Sequence, residues 1–367
     1  MSSDTQFTRL SIGTVDFSPV ILSQRLDFID IAKGIGILLV VYGHALRGLA
    51  SALLVRQDSA LFIVDYVIYA VHMPLFFVLS GLFFETSLTK APTRFWRGRV
   101  KTIAYPYLLW SLLQGSIQVM MSGSGATNTA LGWDRLVTIL WAPISPFWFL
   151  YALLVANILA ALVRNAPQVI VIGTAFLAFF ASLALPAYPV LNDIAYGFVY
   201  FFVGIMLGRR GIAAVGQHAR IVWLPAFAVF LALALGLYAL DVPERLPIPA
   251  ALAGLVALTG ASVMLAERAP SILRDALLIL GSCSMGIYLL HILVIGLSRT
   301  LALRFFGIDD LVLLLPLCTA AGVLVPLFIV ITAQRLGVAT LLGIAPSGFP
   351  RRAPTNSPGS MPVSERT

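Results

Sequence analysis

Between Leu311 and Thr332 the chain carries no charged side chain, and Ile170–Leu185 is a second run of the same kind. Apolar runs of this length recur from end to end, and they dictate the solvent. A helix needs about 20 mostly apolar residues to cross the hydrocarbon core of a bilayer. Transmembrane strands instead alternate polar and apolar residues over about ten positions, and these runs do not alternate. Composition agrees, since of 367 residues 59% are hydrophobic and 11% charged, against about 25% charged in a soluble domain. A soluble globular protein and a membrane β-barrel are both excluded. The expectation is an all-α, polytopic membrane helix bundle of about ten transmembrane helices.

Ten spans fit the pattern: Phe28–Leu49, Leu61–Phe84, Thr102–Met121, Phe147–Leu162, Val169–Leu185, Ile194–Leu207, Ile221–Leu240, Ile248–Leu265, Ala276–Leu297 and Leu311–Ala333. The fourth to sixth are short, so tilts or kinks are expected there. Stretches with Pro, Gly and charge separate the spans, as in Asp241-Val-Pro-Glu-Arg-Leu-Pro247. No internal repeat of fixed period is apparent. The chain divides into an N-terminal tail (1–22), a membrane domain (23–335) and a C-terminal tail (336–367). The last of these is rich in Pro, Ser and Arg beyond Ile344 and is expected to be disordered. Asp4 and Asp16, with no apolar run between them, argue against a cleaved signal peptide.

Orientation follows from the basic residues. With the N-terminus inside, 17 Lys and Arg fall on the inner side and 6 on the outer, and Lys33 lies within the first span. The positive-inside rule then puts both termini in the cytoplasm. The same rule accounts for the net charge of +8 without a nucleic-acid partner. Cys283 and Cys318 fall in predicted helices with neither metal-ligand spacing nor a disulfide framework, so no metal site is expected.

Ionisable groups within spans cost roughly 2.5–3.5 kcal/mol each for Lys or Arg, so they are functional candidates by default. In the first span Lys33 and His44 are eleven residues apart, within about 20° of three full helical turns. They share one face, about 16 Å apart along the axis. In the second span His72 precedes Pro74, whose missing N–H bends a helix and opens room for a pocket. Ser80-Gly81 suits close helix packing. Arg94, Arg97 and Lys101 follow i, i+3, i+7 spacing at the inner membrane edge, a face suited to phosphate groups or to anionic lipid. In the ninth span Ser284, Tyr288 and His291 form a polar stripe at i, i+4, i+7, which should face the bundle interior. His218 falls in a loop and reads as solvated.

Lys33-Gly34, the gap to Gly43-His44 and the run His72-Met-Pro-Leu-Phe-Phe-Val-Leu-Ser-Gly81 together resemble the acyltransferase-3 family of integral membrane acyltransferases. Arg97-x-x-x-Lys101 before Pro106-Tyr107, and Ser284-x-x-x-Tyr288-Leu-Leu-His291, are similar to that family as well. The likeness covers about residues 23–335. Where the family usually has Arg in the first span this chain has Lys33, a version similar to the branch of fucose 4-O-acetylases and rhizobial Nod-factor O-acetylases. Lysine keeps the charge but loses the guanidinium fork.

The resemblance implies a multi-pass protein of a bacterial inner membrane and an acyl-CoA cosubstrate, most simply acetyl-CoA, reached from the cytoplasm. It implies a carbohydrate or glycolipid hydroxyl as acceptor at or beyond the outer face, such as a Nod factor, O-antigen or exopolysaccharide, and no bound cofactor. His44 would then be the base or the acyl carrier, since imidazole titrates near neutral pH. Lys33 would hold the donor or stabilise charge near the thioester. Arg94, Arg97 and Lys101 would bind the CoA phosphates. His72, Ser284, Tyr288 and His291 would support the site or orient the acceptor. The alternative class is a proton-coupled transporter or flippase using the same intramembrane His and Lys. Transporters often show inverted repeats in their hydropathy, and none is visible in this sequence.

Overall fold

A computed structural model describes residues 19–56, 59–88, 91–122, 131–184, 187–245 and 248–346. Lys90, most of the N-terminal tail and the chain beyond 346 lie outside them, including nearly all of the tail expected to be disordered. Among the described residues there are fifteen α-helices and no strand. They are α1 (Pro19–Ser51), α2 (Leu61–Tyr69), α3 (His72–Leu82), α4 (Phe84–Leu88), α5 (Pro92–Arg99), α6 (Tyr105–Met121), α7 (Asp134–Thr138) and α8 (Trp148–Val163). There follow α9 (Gln168–Ala184), α10 (Pro189–Gln217), α11 (Ala219–Ala239), α12 (Ile248–Arg268), α13 (Ser271–Ser282), α14 (Ser284–Phe305) and α15 (Leu311–Arg335).

Among the described residues seven stretches are long and apolar enough to cross a membrane, against the ten expected. They are Asp27–Ser51, Leu61–Leu88, Pro189–Gly208, Ile221–Ala239, Ile248–Arg268, Ser284–Phe305 and Leu311–Arg335. The difference falls on α6, α8 and α9, which are 17, 16 and 17 residues long. At 1.5 Å per residue each is about 24–26 Å, short of the roughly 30 Å hydrocarbon core.

Two further boundaries depart from the sequence reading. The expected ninth span is broken at Cys283, between α13 and α14, so the membrane-length helix starts at Ser284. The third expected span begins in a single π turn, Val100–Ala104, before α6. The bend expected from Pro74 is present. Pro74 has no N–H to give the carbonyl four residues back, and the helix is interrupted at Ala70 and Val71, between α2 and α3.

Lipid tails are as apolar as leucine, so helices in a bilayer associate through close packing of small residues rather than through a hydrophobic drive. The bundle shows this at two crossings. Where α3 meets α10, a methyl group added at Gly81 would overlap the Phe201 carbonyl, and one at Gly204 would overlap the Val78 carbonyl. Where α1 meets α13, Gly34 abuts the Leu277 carbonyl and Gly281 the Asp30 carbonyl. Helix α1 also packs on α3, α12, α14 and α15, so it is the central strut. By contrast α11 has only 11% of its apolar window buried and forms the periphery. The α1–α13 crossing fixes the height of Lys33, which follows Asp30 by three residues.

Gly281→Val should therefore cut the amount of folded protein sharply, since overpacking costs about 1–3 kcal/mol even against movable side chains and the obstacle here is backbone. Gly98→Ala, with nothing within 4 Å of the added carbon, is the matched control and should leave the yield unchanged. Fluorescence-detected size exclusion of detergent extracts reads both. A normal Gly281→Val peak would contradict the crossing.

Candidate active site

An apolar cavity of about 320 Å³ lies between α1, α3, α8, α14 and the π turn. From α1 it is lined by Lys33, Ile37 and Val40, at i, i+4 and i+7. His44 is the next residue of that stripe, one turn further on. From α14 it is lined by Ser284, Met285 and Tyr288, and His291 is the next residue of the second stripe. The two stripes meet beyond the cavity, where the His44 and His291 rings are 5.0 Å apart between centroids. The shared faces read from sequence spacing are both present.

The three intramembrane histidines are not equivalent. His72 Nδ1 pairs with the Ile68 carbonyl at 2.8 Å and His291 Nδ1 with the Tyr288 carbonyl at 2.6 Å. A carbonyl only accepts, so each of these nitrogens carries the proton and each Nε2 is left as an acceptor. His291 Nε2 is buried and has no hydrogen-bond partner among the described residues. His44 is partly accessible. Among the described residues it makes ring contacts but no hydrogen bond, so neither of its nitrogens is committed. His44 is thus the intramembrane histidine whose two ring nitrogens are both open among the described residues.

Tyr69 links this cluster to the far side. Its ring is 4.5 Å from His72 and 6.3 Å from His44, and the Arg47 guanidinium lies 3.2 Å from its centroid. Arg47 in turn pairs with Asp65 and Glu244, each at 2.8 Å. Arg245 pairs with Asp193 and sits 5.1 Å over the Trp148 ring. The Tyr66 hydroxyl donates to the Val242 carbonyl at 2.8 Å. The segment between α11 and α12 is thus tied down beside Tyr69.

At the opposite end of the site Lys33 pairs with Asp30 at 2.9 Å. Arg94, Arg97 and Lys101 are all exposed and none of them lines the cavity. The arginine that does is Arg99, which the charge-rich face had hidden. Its signal in the sequence is the apolar stripe Phe95–Arg99–Ile103–Pro106, where it is the one charged member. Phe95 and Ile103 are buried, and the Phe95 ring meets Phe84 at 5.8 Å and holds the guanidinium at 5.0 Å. Arg99 Nε and Nη2 are buried with no hydrogen-bond partner among the described residues. Burial pulls its guanidinium below the ordinary arginine value, which a bound anion would reverse. Tyr288 forms a wall of the cavity, and its hydroxyl is engaged by the Pro146 carbonyl.

The profile of the Acyltransferase domain family, acyltransferase-3, matches residues 26–333. Nodulation protein NolL of Mesorhizobium japonicum is 26% identical over 209 residues, covering 55% of this chain and 51% of the relative. Nodulation protein NolL of Sinorhizobium fredii is 27% identical over 190 residues, covering 49% and 48%. The chain thus spans about half the length of the curated relatives it matches. No solved structure matches it.

Proposed function

Because the chain belongs to the acyltransferase-3 family, we propose that it is a membrane O-acyltransferase moving an acyl group, most simply acetyl, from cytoplasmic acyl-CoA to a carbohydrate hydroxyl at the outer face. The observation that carries this reading is the cavity running from Lys33 and Arg99 toward the His44–His291 pair. The pantetheine arm of CoA is a chain of about a dozen bonds, some 15 Å when extended with bonds of about 1.5 Å. Lys33 and His44 are about 16 Å apart along their helix. A diphosphate held beside Lys33 and Arg99 would then place the thioester within one pantetheine length of His44. There the uncommitted imidazole takes the acceptor's proton or carries the acyl group, with the His291 Nε2 lone pair available to hold the other His44 nitrogen. Arg94, Arg97 and Lys101 gather anions at the exposed edge, and His72 fixes Tyr69.

The match to nodulation proteins favours an exported lipo-oligosaccharide of the Nod-factor kind as acceptor, with O-antigen and exopolysaccharide as the other carbohydrate options. Mass spectrometry of exported glycans from cells with and without the gene tests this. Loss of an acyl increment from one glycan is expected, and identical glycans would remove the proposal.

Ten crossings with both termini cytoplasmic remain our reading of the topology, and side-chain contacts support it. Arg47, Asp65, Asp193, Glu244, Arg245 and Arg299 all fall at expected outer ends. They pair with one another or, for Arg299, with the Gly48 carbonyl at 2.7 Å. Lys33, Ser80, Arg99, Asn157 and Ser284 fall at expected inner halves and line one cavity. That alternation requires α6, α8 and α9 to cross despite their length, which local thinning of the bilayer accommodates. With the buried Cys283 and Cys318 replaced, a cysteine at Leu240 should react with an impermeant reagent added to intact cells. One at Gly98 should not, and the reverse pattern would invert the orientation.

A further inference from the structure

Asn157 is the one amide side chain among the apolar residues of α8, and it is 1% exposed. Its Nδ2 donates to the Leu153 carbonyl at 2.8 Å. Because a carbonyl cannot donate, that bond sets which way the amide faces. Oδ1 is left buried with no partner among the described residues, and the residue lines the cavity. Buried acceptors are nearly always satisfied, so an open one asks for an explanation. Neighbouring hydroxyls do not supply it, since Ser80 donates to the Phe76 carbonyl and Thr102 to the Gly98 carbonyl.

The rest of the cavity restricts what can. Phe76, Phe149, Leu150 and Leu153 form apolar walls suited to methylene and methyl groups. The open donors of Arg99 suit a phosphate at one end. A lipid phosphate would satisfy Arg99 and the walls and leave Asn157 Oδ1 empty. A ligand that satisfies all three is a slender chain with an anionic end and an N–H partway along it. We propose that Asn157 is a donor-specificity residue whose Oδ1 accepts a hydrogen bond from an amide N–H of the pantetheine arm. The proposal rests on the acyl-CoA reading above and adds to it the group that tells a thioester of CoA from other phosphate-bearing acyl donors.

The test is equilibrium binding to purified full-length protein. The ligands are acetyl-CoA and two analogues in which one or the other pantetheine amide is replaced by an ester, which keeps the carbonyl and loses the N–H. The wild-type protein is expected to bind one analogue about tenfold more weakly than acetyl-CoA, the size of one hydrogen bond to a buried group, and the other nearly as well. Asn157→Leu should bind acetyl-CoA about tenfold more weakly and no longer distinguish the three ligands. Equal binding of all three by the wild type overturns the proposal without any variant, as does a folded Asn157→Leu that keeps the preference. Wild-type protein that binds none of them removes the acyl-CoA reading itself, a different result from the loss of discrimination alone.

Discussion

His44→Ala is expected to abolish acyl transfer while leaving the protein in the membrane at near-normal amount. The two halves of that expectation have separate physical grounds. Among the described residues the His44 side chain makes no hydrogen bond, so truncating it strands no partner, and alanine is the best helix former. Function is lost because the other two intramembrane imidazoles each have a nitrogen committed to a backbone carbonyl. Removal of a general base typically costs about 10²–10⁴-fold in rate, and removal of an obligatory acyl carrier leaves still less. His72→Ala and His291→Ala should behave differently. Each removes a buried bond to a helix carbonyl, and such bonds contribute about 0.5–1.5 kcal/mol, so the folded amount should fall along with activity. Transfer measured in membranes and divided by protein amount separates these cases. More than about a tenth of wild-type rate in His44→Ala, against the losses expected of a base, would make His44 a packing residue.

Arg99→Leu should raise the Michaelis constant for acyl-CoA more than any change at Arg94, Arg97 or Lys101. Two of its donors are buried without partners, and a hydrogen bond to a charged group is worth about 1.5–3 kcal/mol. One such bond corresponds to at least about tenfold in affinity, and two to about a hundredfold or more. Leucine fits the buried stripe between Phe95 and Ile103, so the fold should tolerate it. Arg99→Lys should recover part of the binding, because it restores a point charge without the planar fork. Arg97→Gln and Lys101→Gln alter exposed residues and should act only through the local potential, an effect that salt screens over about 8–10 Å. Michaelis constants for the four variants, at fixed salt and with protein amount controlled, decide the order. Equal effects at Arg97 and Arg99 would return the donor site to the exposed face.

The contrast between Arg97 and Arg99 also explains what could be read from the sequence. Spacing arguments hold wherever a helix is unbroken. Lys33 and His44 lie in α1, which runs without interruption from Pro19 to Ser51, so eleven residues translate directly into a shared face. Ser284, Tyr288 and His291 keep their stripe although the span drawn around them was wrong, because all three follow the break at Cys283. That break has no Pro to announce it and was not legible. The Pro74 bend was. In the basic stretch the face bearing several charges is the one that turns to water, and Arg94, Arg97 and Lys101 are exposed on it. The lone arginine on the apolar face is the one that lines the cavity, and Asn157 in α8 is likewise a lone polar residue on an apolar helix that lines it.

The most direct test of transfer across the bilayer uses purified protein reconstituted into sealed vesicles. The exported glycan fraction of cells lacking the protein is trapped inside, and radiolabelled acetyl-CoA is added only outside. Label should accumulate on the trapped glycan, with free CoA appearing outside in step, and both should vanish with His44→Ala. If CoA is never released, or if glycan is labelled only when it shares a compartment with acetyl-CoA, the account of a donor entering at Arg99 and an acceptor waiting beyond His44 is contradicted.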